Sequence, residues 1–164
     1  MEVKTNGAAT EVVSEVEPEK NLLQLVTFHV GREEYAVDIL RVQEIIRVQE
    51  MTRVPNTPDY LKGVINLRGK IIPVMDLRRR FRMEAIELKK EARIVVVEES
   101  GKNVGLMVDS MSEVLNISNT FILAPPDAEN GSDNNIEFIQ GVAKLEDRLL
   151  IFLNLQILLG EHGL

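Results

Sequence analysis

Few side chains in this sequence could carry out chemistry. It holds two histidines and no cysteine, so disulfides, thiolate nucleophiles and thiolate metal centres are excluded. A zinc centre needs several nitrogen or sulfur donors. His29, inside a strand-like run, and His162, in a terminal tail, cannot supply them. A Ser-His-Asp arrangement would have to be built on His29, yet no GxSxG occurs. Asp38, Glu44, Asp76 and Asp109 could be imagined as an acid pair, but Asp38 and Asp109 hold matching slots before a helical turn, where capping explains them. Neither GxxxxGK[ST] nor GxGxxG is present, and Gly63 and Gly69 flank a strand with no phosphate cradle after it. The expectation is a protein that is no enzyme and holds no metal or cofactor.

What remains are charges set for contact. In "GVINLRGKIIPVMD" (63–76), two β-branched runs too short for helices flank Arg68-Gly69, which reads as a hairpin with a tight turn. Gly69 permits the positive φ that such a turn needs.

The elements that must position these residues are mostly short strands. Expected strands cover Leu22 to Val30, Tyr35 to Val37, Thr52 to Pro55, Ala92 to Glu99, Val104 to Asp109 and Glu113 to Ser118. A second hairpin runs from Ile136 to Leu145 and from Arg148 to Leu153. Ile39, Val42, Ile45 and Ile46 stand three and four apart after Asp38, a spacing that predicts one or two helical turns. Short helical pieces are expected at Leu77 to Phe81 and Asn154 to Leu159, and a loop standing off the body over Ala124 to Asn135. Residues 1–20 are acidic and lack periodic apolar positions, which reads as a disordered tail; 21–160 form the domain and 161–164 a second tail. Nothing at the N-terminus reads as a signal peptide, and no apolar run is long enough to span a membrane.

The sequence also echoes itself. At an offset of 78 residues, "YLKGVINLRGKIIPVMDL" (60–77) lies over "FIQGVAKLEDRLLIFLNL" (138–155) without a gap. Upstream, "VDILRVQEI" lies over "VDSMSEV" with a small deletion, so Val42 falls on Met111 and Glu44 on Glu113. A strand-rich unit used twice suggests two small barrels packed together, one around 35–85 and one around 100–155, sharing strands. About 60 residues alone bury a marginal core. Arg68-Gly69 in one copy becomes Glu146-Asp147 in the other, so the hairpin does not need arginine for its shape.

Val42 and Ile45, with their counterparts Met111 and Val114, could line an apolar groove between the barrels that suits the side of a helix. Met111 would adapt to a partner's contours, and Glu44 and Arg68 would sit at the rim and set register. Nucleic acid is not expected as a partner: the net charge is -7, aromatics are 4% and tryptophan is absent. The cluster "LRRRFR" (77–82) reads as a solvated face, and the sequons at Asn116 and Asn130 carry no meaning in a cytoplasmic chain.

"EEYAVDILRVQEI" (33–45), "TRVPNTPDYLKGVINLRGKIIPVMDLRRRF" (52–81) and "GLMVDSMSEVL" (105–115) closely resemble CheW-type chemotaxis coupling proteins, a likeness running from about Leu22 to Leu159. The resemblance implies an all-β fold of two intertwined five-stranded SH3-like β-barrels with short helical turns. It implies a cytoplasmic, non-enzymatic adaptor between the hairpin tip of chemoreceptors and the regulatory domain of the histidine kinase CheA, touching the membrane only through the receptors. Ile39, Val42, Glu44 and Met111 match the family's receptor groove, and Gly63, Asn66, Arg68 and Gly69 match positions linked to coupling and kinase docking. The loop "LAPPDAENG" (123–131) departs from the basic and aromatic pattern expected of a second kinase contact, so that contact is unassigned. The chain leaves no room for a fused receiver or kinase, which favours a stand-alone adaptor. Alternatives are a coupling protein of a pili or developmental array, and a small RNA-binding barrel.

Overall fold

The computed structural model describes residues 22–124 and 136–160; the acidic tail, most of the 124–135 loop and residues 161–164 lie outside them. The strands are β1 (Leu22–Val30), β2 (Glu33–Asp38), β3 (Val42–Arg47), β4 (Leu61–Leu67), β5 (Lys70–Asp76), β6 (Arg93–Glu99), β7 (Lys102–Val108), β8 (Ser110–Ser118), β9 (Ile122–Leu123), β10 (Ile139–Leu145) and β11 (Arg148–Leu153). Two short helices, α1 (Leu77–Arg80) and α2 (Leu155–Gly160), follow β5 and β11. Each starts on a side-chain cap: Asp76 accepts from the Arg78 amide at 3.1 Å and Asn154 from that of Ile157 at 3.1 Å.

These strands form two sheets, ordered β3-β6-β7-β5-β4 and β9-β10-β11-β2-β1-β8. The first is a middle barrel drawn from residues 42–108. The second is a terminal barrel drawn from 22–38 and 110–153. The expected division into units around 35–85 and 100–155 is therefore redrawn. Each repeat gives its first hairpin to the other repeat's barrel, which is what intertwines them. The registers obey the exchange. Phe28 pairs with Met111 and Val97 with Val42; Val26 pairs with Val114 and Val95 with Ile45. The parallel pair of Ala36 with Phe152 is matched by Gly105 with Val74.

Strands with two buried faces explain the near-continuous apolar runs. Along β6, Ile94 and Val96 point into the middle barrel's lumen, beside Ile65, Ile72, Val74 and Met107. Val95 and Val97 point the other way, into a central cluster shared with Val26, Phe28, Val37, Leu106 and Leu153. The terminal barrel fills its own lumen with Leu25, Ala36, Ile117, Ala143, Leu150 and Phe152. There are thus three cores, and the middle one belongs to both barrels.

Two local expectations change. Only Ile39–Arg41 is helical, as one 3-10 turn capped by Asp38, whose carboxylate accepts from the Leu40 amide at 3.0 Å; Val42 onward is strand. The three-residue spacing of Val42 and Ile45 comes from a bulge, where the register shifts between Val42 and Glu44. The bulge returns both residues to one face. The expected strand at Thr52 to Pro55 reduces to a single bridge, Thr52 with Val64.

That bridge accounts for Gly63. A Cβ there would lie 2.7 Å from the Thr52 carbonyl oxygen, and one on the equivalent Gly141 would lie 2.8 Å from that of Leu123. The backbones approach too closely for a side chain. Gly63→Ala should lower unfolding stability by roughly 1–3 kcal/mol, measured by urea denaturation; an unchanged midpoint would refute the close-approach account.

Candidate functional site

The six residues expected to line a groove do not all share a face. Val42 and Ile45 on β3, and Met111 and Val114 on β8, each stand opposite a member of the central cluster. Directly opposed residues in an antiparallel pair lie on the same side of the sheet, so all four face the seam between barrels. Val42, Met111 and Ile39 pack against the central cluster while only partly covered. Ile45 and Val114 are 42% and 51% exposed. The depth of the seam is filled by the protein itself, and its lip is an uncovered apolar strip along two edge strands. Leu40, in the turn that contacts β1 and β6, adds an 82% exposed side chain close by in sequence.

Glu44 leaves this set. It stands opposite Val96, a lumen residue, and helps line the open mouth of the middle barrel with Leu67, Arg68, Lys70, Ile72 and Asn103. There it pairs with Arg68 at 2.8 Å. Arg68 occupies the two-residue turn between β4 and β5 with φ 55°, followed by Gly69 at φ 83°. Left-handed backbone costs a non-glycine residue about 1–2 kcal/mol, so the turn keeps arginine against its conformational preference. The Arg68 side chain is 80% exposed, and an ion pair this open contributes at most about 1 kcal/mol. Asn66 and Gly69 are shape residues instead: the Asn66 side-chain oxygen accepts from the Gly69 amide at 3.0 Å. Of the four hairpin positions, only Arg68 offers a side chain to a partner.

The terminal barrel's mouth is crossed by ion pairs. Arg148, the counterpart of Lys70, donates to Glu34 at 2.7 Å and pairs with Glu113 at 2.5 Å. Thr27, buried at the floor, bonds both the amide and the carbonyl of Glu113. Burial alone would push the Glu34 carboxyl up; hydrogen bonding with Ser112 and Arg148 outweighs it and holds that carboxyl below its ordinary range. Sequence reasoning missed this triad because its members lie 114 and 35 residues apart. The echo of Glu44 at Glu113 was the available signal.

A family model described as the CheW-like domain matches residues 24–162. The chain is 36% identical over 156 residues to the chemotaxis protein CheW of Klebsiella aerogenes, covering 95% of this chain and 92% of that protein. It is 38% identical over 148 residues to the chemotaxis protein CheW of Helicobacter pylori, covering 90% and 88%. The crystal structure of the scaffolding protein TtCheW from Thermoanaerobacter tengcongensis superposes with a TM-score of 0.78 at 37% identity, covering 87% of this chain and 95% of that one. The chain belongs to the CheW family. Members of that family are non-enzymatic scaffold or adaptor proteins of chemotaxis, and the two intertwined barrels agree with the fold expected from the sequence.

In a CheW-family scaffold the acids first weighed for catalysis hold structure. Asp109 does not cap a helical turn, since the chain passes from it straight into β8. It accepts from the Gly31 amide at 2.8 Å and from Arg78 at 2.8–3.2 Å through two guanidinium nitrogens. The "LRRRFR" cluster is thus only partly a solvated face: Arg78 is committed to Asp109, while Arg79 and Arg82 remain exposed. No described helix is long and apolar enough to cross a membrane. Burial pushes the Asp109 carboxyl up, but hydrogen bonds from Arg78 and Gly31 hold it below its ordinary value of 3.8. A depressed folded value means stability that is present above 3.8 and lost as pH falls through the folded value. Asp109→Asn should therefore cost roughly 1–3 kcal/mol at neutral pH, with the gap to the parent closing in acid. Urea titrations from pH 7 to pH 2.5 test this; a gap independent of pH counts against the ion pair.

Proposed function

We propose that this chain joins chemoreceptors to the histidine kinase CheA as an adaptor without catalysis of its own. One face of a receptor's helical hairpin tip lies on the strip of Val42, Ile45, Met111 and Val114, with Ile39 beneath it. The β4–β5 hairpin presents Arg68 to the kinase regulatory domain, while Gly63, Asn66 and Gly69 hold the hairpin's shape. The protein works in the cytoplasm within receptor arrays and meets the membrane only through the receptors.

The observation that carries this reading is the strip itself. Two equivalent edge strands leave equivalent apolar side chains uncovered at a shared seam. An apolar row flanked by polar edge residues suits the side of a helix, and a single exposed cation on a strained turn suits recognition of a second partner. The deciding experiment is co-purification with a CheA regulatory domain and a receptor tip fragment; failure to retain either would sink the adaptor reading.

Point variants separate the two surfaces. Ile45→Glu or Val114→Glu, both at half-exposed positions, should abolish capture of the receptor fragment while the thermal midpoint stays within a few degrees. Normal capture by both variants would show that the strip is not the receptor site. Arg68→Ala should weaken kinase-domain binding by about tenfold, equivalent to about 1.4 kcal/mol, with receptor capture intact. Isothermal titration showing unaltered kinase affinity would remove Arg68 from the interface.

A further inference from the structure

Arg80, near the end of α1, lies over two aromatic rings at once. Its guanidinium carbon is 4.4 Å from the ring centroid of Tyr60 and 4.3 Å from that of Phe138. Both distances are well inside the range of cation–π attraction. The two rings are equivalent residues of the repeat, one entering β4 of the middle barrel and the other entering β10 of the terminal barrel. Each is pinned in the same way: the Tyr60 carbonyl accepts from the Asp76 amide at 2.7 Å and the Phe138 carbonyl from the Asn154 amide at 2.7 Å. One cation therefore joins the same point of both barrels.

The other repeat shows that the fold does not require a cation here. The counterpart of Arg80 in α2 is Leu158, an ordinary member of the central cluster. Drawing a guanidinium out of water is unfavourable, and two of the Arg80 nitrogens are shielded from solvent. Its neighbour Phe81 reaches the terminal barrel as well, with ring centroids 6.0 Å from Phe138 and 5.0 Å from Tyr35. The planar, delocalised guanidinium matches flat ring faces in a way that neither leucine nor a lysine ammonium can.

We infer that Arg80 is a positioning residue that fixes the angle between the two barrels, and thereby the spacing of the apolar strip that both barrels share. The strip takes Val42 and Ile45 from the middle barrel and Met111 and Val114 from the terminal one, so its geometry depends on that angle. The Arg68 hairpin belongs to one barrel and does not depend on it. The binding consequence rests on the proposed receptor site; the geometric one does not.

Since the chain has no cysteine, spin labels on Lys102→Cys and Lys144→Cys, exposed positions in the middle and terminal barrels, report the inter-barrel distance by pulsed electron resonance. Arg80→Leu, which installs the residue used by the other repeat, should broaden or shift that distribution while far-ultraviolet dichroism stays unchanged. It should also weaken receptor-fragment binding at least fivefold and leave kinase-domain binding within twofold. Should Arg80→Leu not fold, Arg80→Lys keeps charge and stem but loses the planar stack, and the same readings apply. An unaltered distance distribution in a folded variant overturns the inference whatever happens to binding, as does equal loss of both partners. A changed distribution with full receptor binding overturns the dependence of the strip on Arg80. If Val114→Glu is then also without effect, the fault lies with the assignment of the strip and not with the clasp.

Discussion

Everything in this molecule depends on a hydrophobic core that neither barrel owns. Val26, Phe28, Val37, Val95, Val97 and Leu106 are buried between the two sheets. They sit on strands whose opposite faces are already used to fill a barrel lumen. Each fully buried side chain of this size contributes about 1.5–3 kcal/mol, and units of about 60 residues rarely bury enough on their own. Exchange of the first hairpins enforces the sharing. Separating the barrels would expose the cluster, and separating the two repeats would also break the strand ladders of β2 with β11 and of β7 with β5. The protein is for that reason one cooperative body, and a surface spanning both barrels can have a fixed shape.

The apolar strip is a by-product of how the edge strands meet that core. A regular strand would alternate, sending every second residue to the seam. The bulges opposite Val96 and Thr27 insert one residue each, so Val42 and Ile45, and likewise Met111 and Val114, face the seam together. The glutamate just before the second apolar residue, Glu44 or Glu113, is turned to the barrel mouth. One backbone irregularity, used twice, thus produces an apolar lip and a charged mouth at the same time. Bulges also pull an edge strand away from regular pairing with other chains.

Much of this was legible in the sequence, and the misses share a cause. The echo between 60–77 and 138–155 gave both hairpins, and the one upstream gave the matching of Val42 with Met111, because those features are local or repeat nearly in register. The matched positions Val42, Ile45, Met111 and Val114 lie on strands and not on the helical turns that the spacing of Val42 and Ile45 predicts. Spacing of three is what a helix shows, and a bulge imitates it only when the partner strand is known. The same blindness misdrew the barrels: nothing in residues 22–38 announces that they pair with 110–118 and 150–152. It also hid Arg78 with Asp109 and Arg148 with Glu34, whose partners are brought together only by the exchange. Arginines 78 to 80 read alike in sequence and have three different fates: a largely buried pair with Asp109, an exposed pair with Asp59, and a place over two rings.

The duplication separates what the fold needs from what it merely permits. Where the copies agree, physics leaves little choice: Gly63 and Gly141 beneath a crossing backbone, Asp76 and Asn154 capping a helix, and a bulge in each edge strand. Where they disagree, the fold is indifferent and another pressure has decided. At the barrel mouths, Glu34, Thr27 and Arg148 form an ion-paired plug on one side. Their counterparts Asn103, Val96 and Lys70 leave the other side open, with Glu44 tied only to the exposed Arg68. Plugging both mouths was within reach of the same scaffold, since a guanidinium between two carboxylates fits there. Both copies share the left-handed turn, at Arg68 and at Glu146, so the departure from the scaffold's own precedent is the open, apolar-floored mouth and the cation beside it.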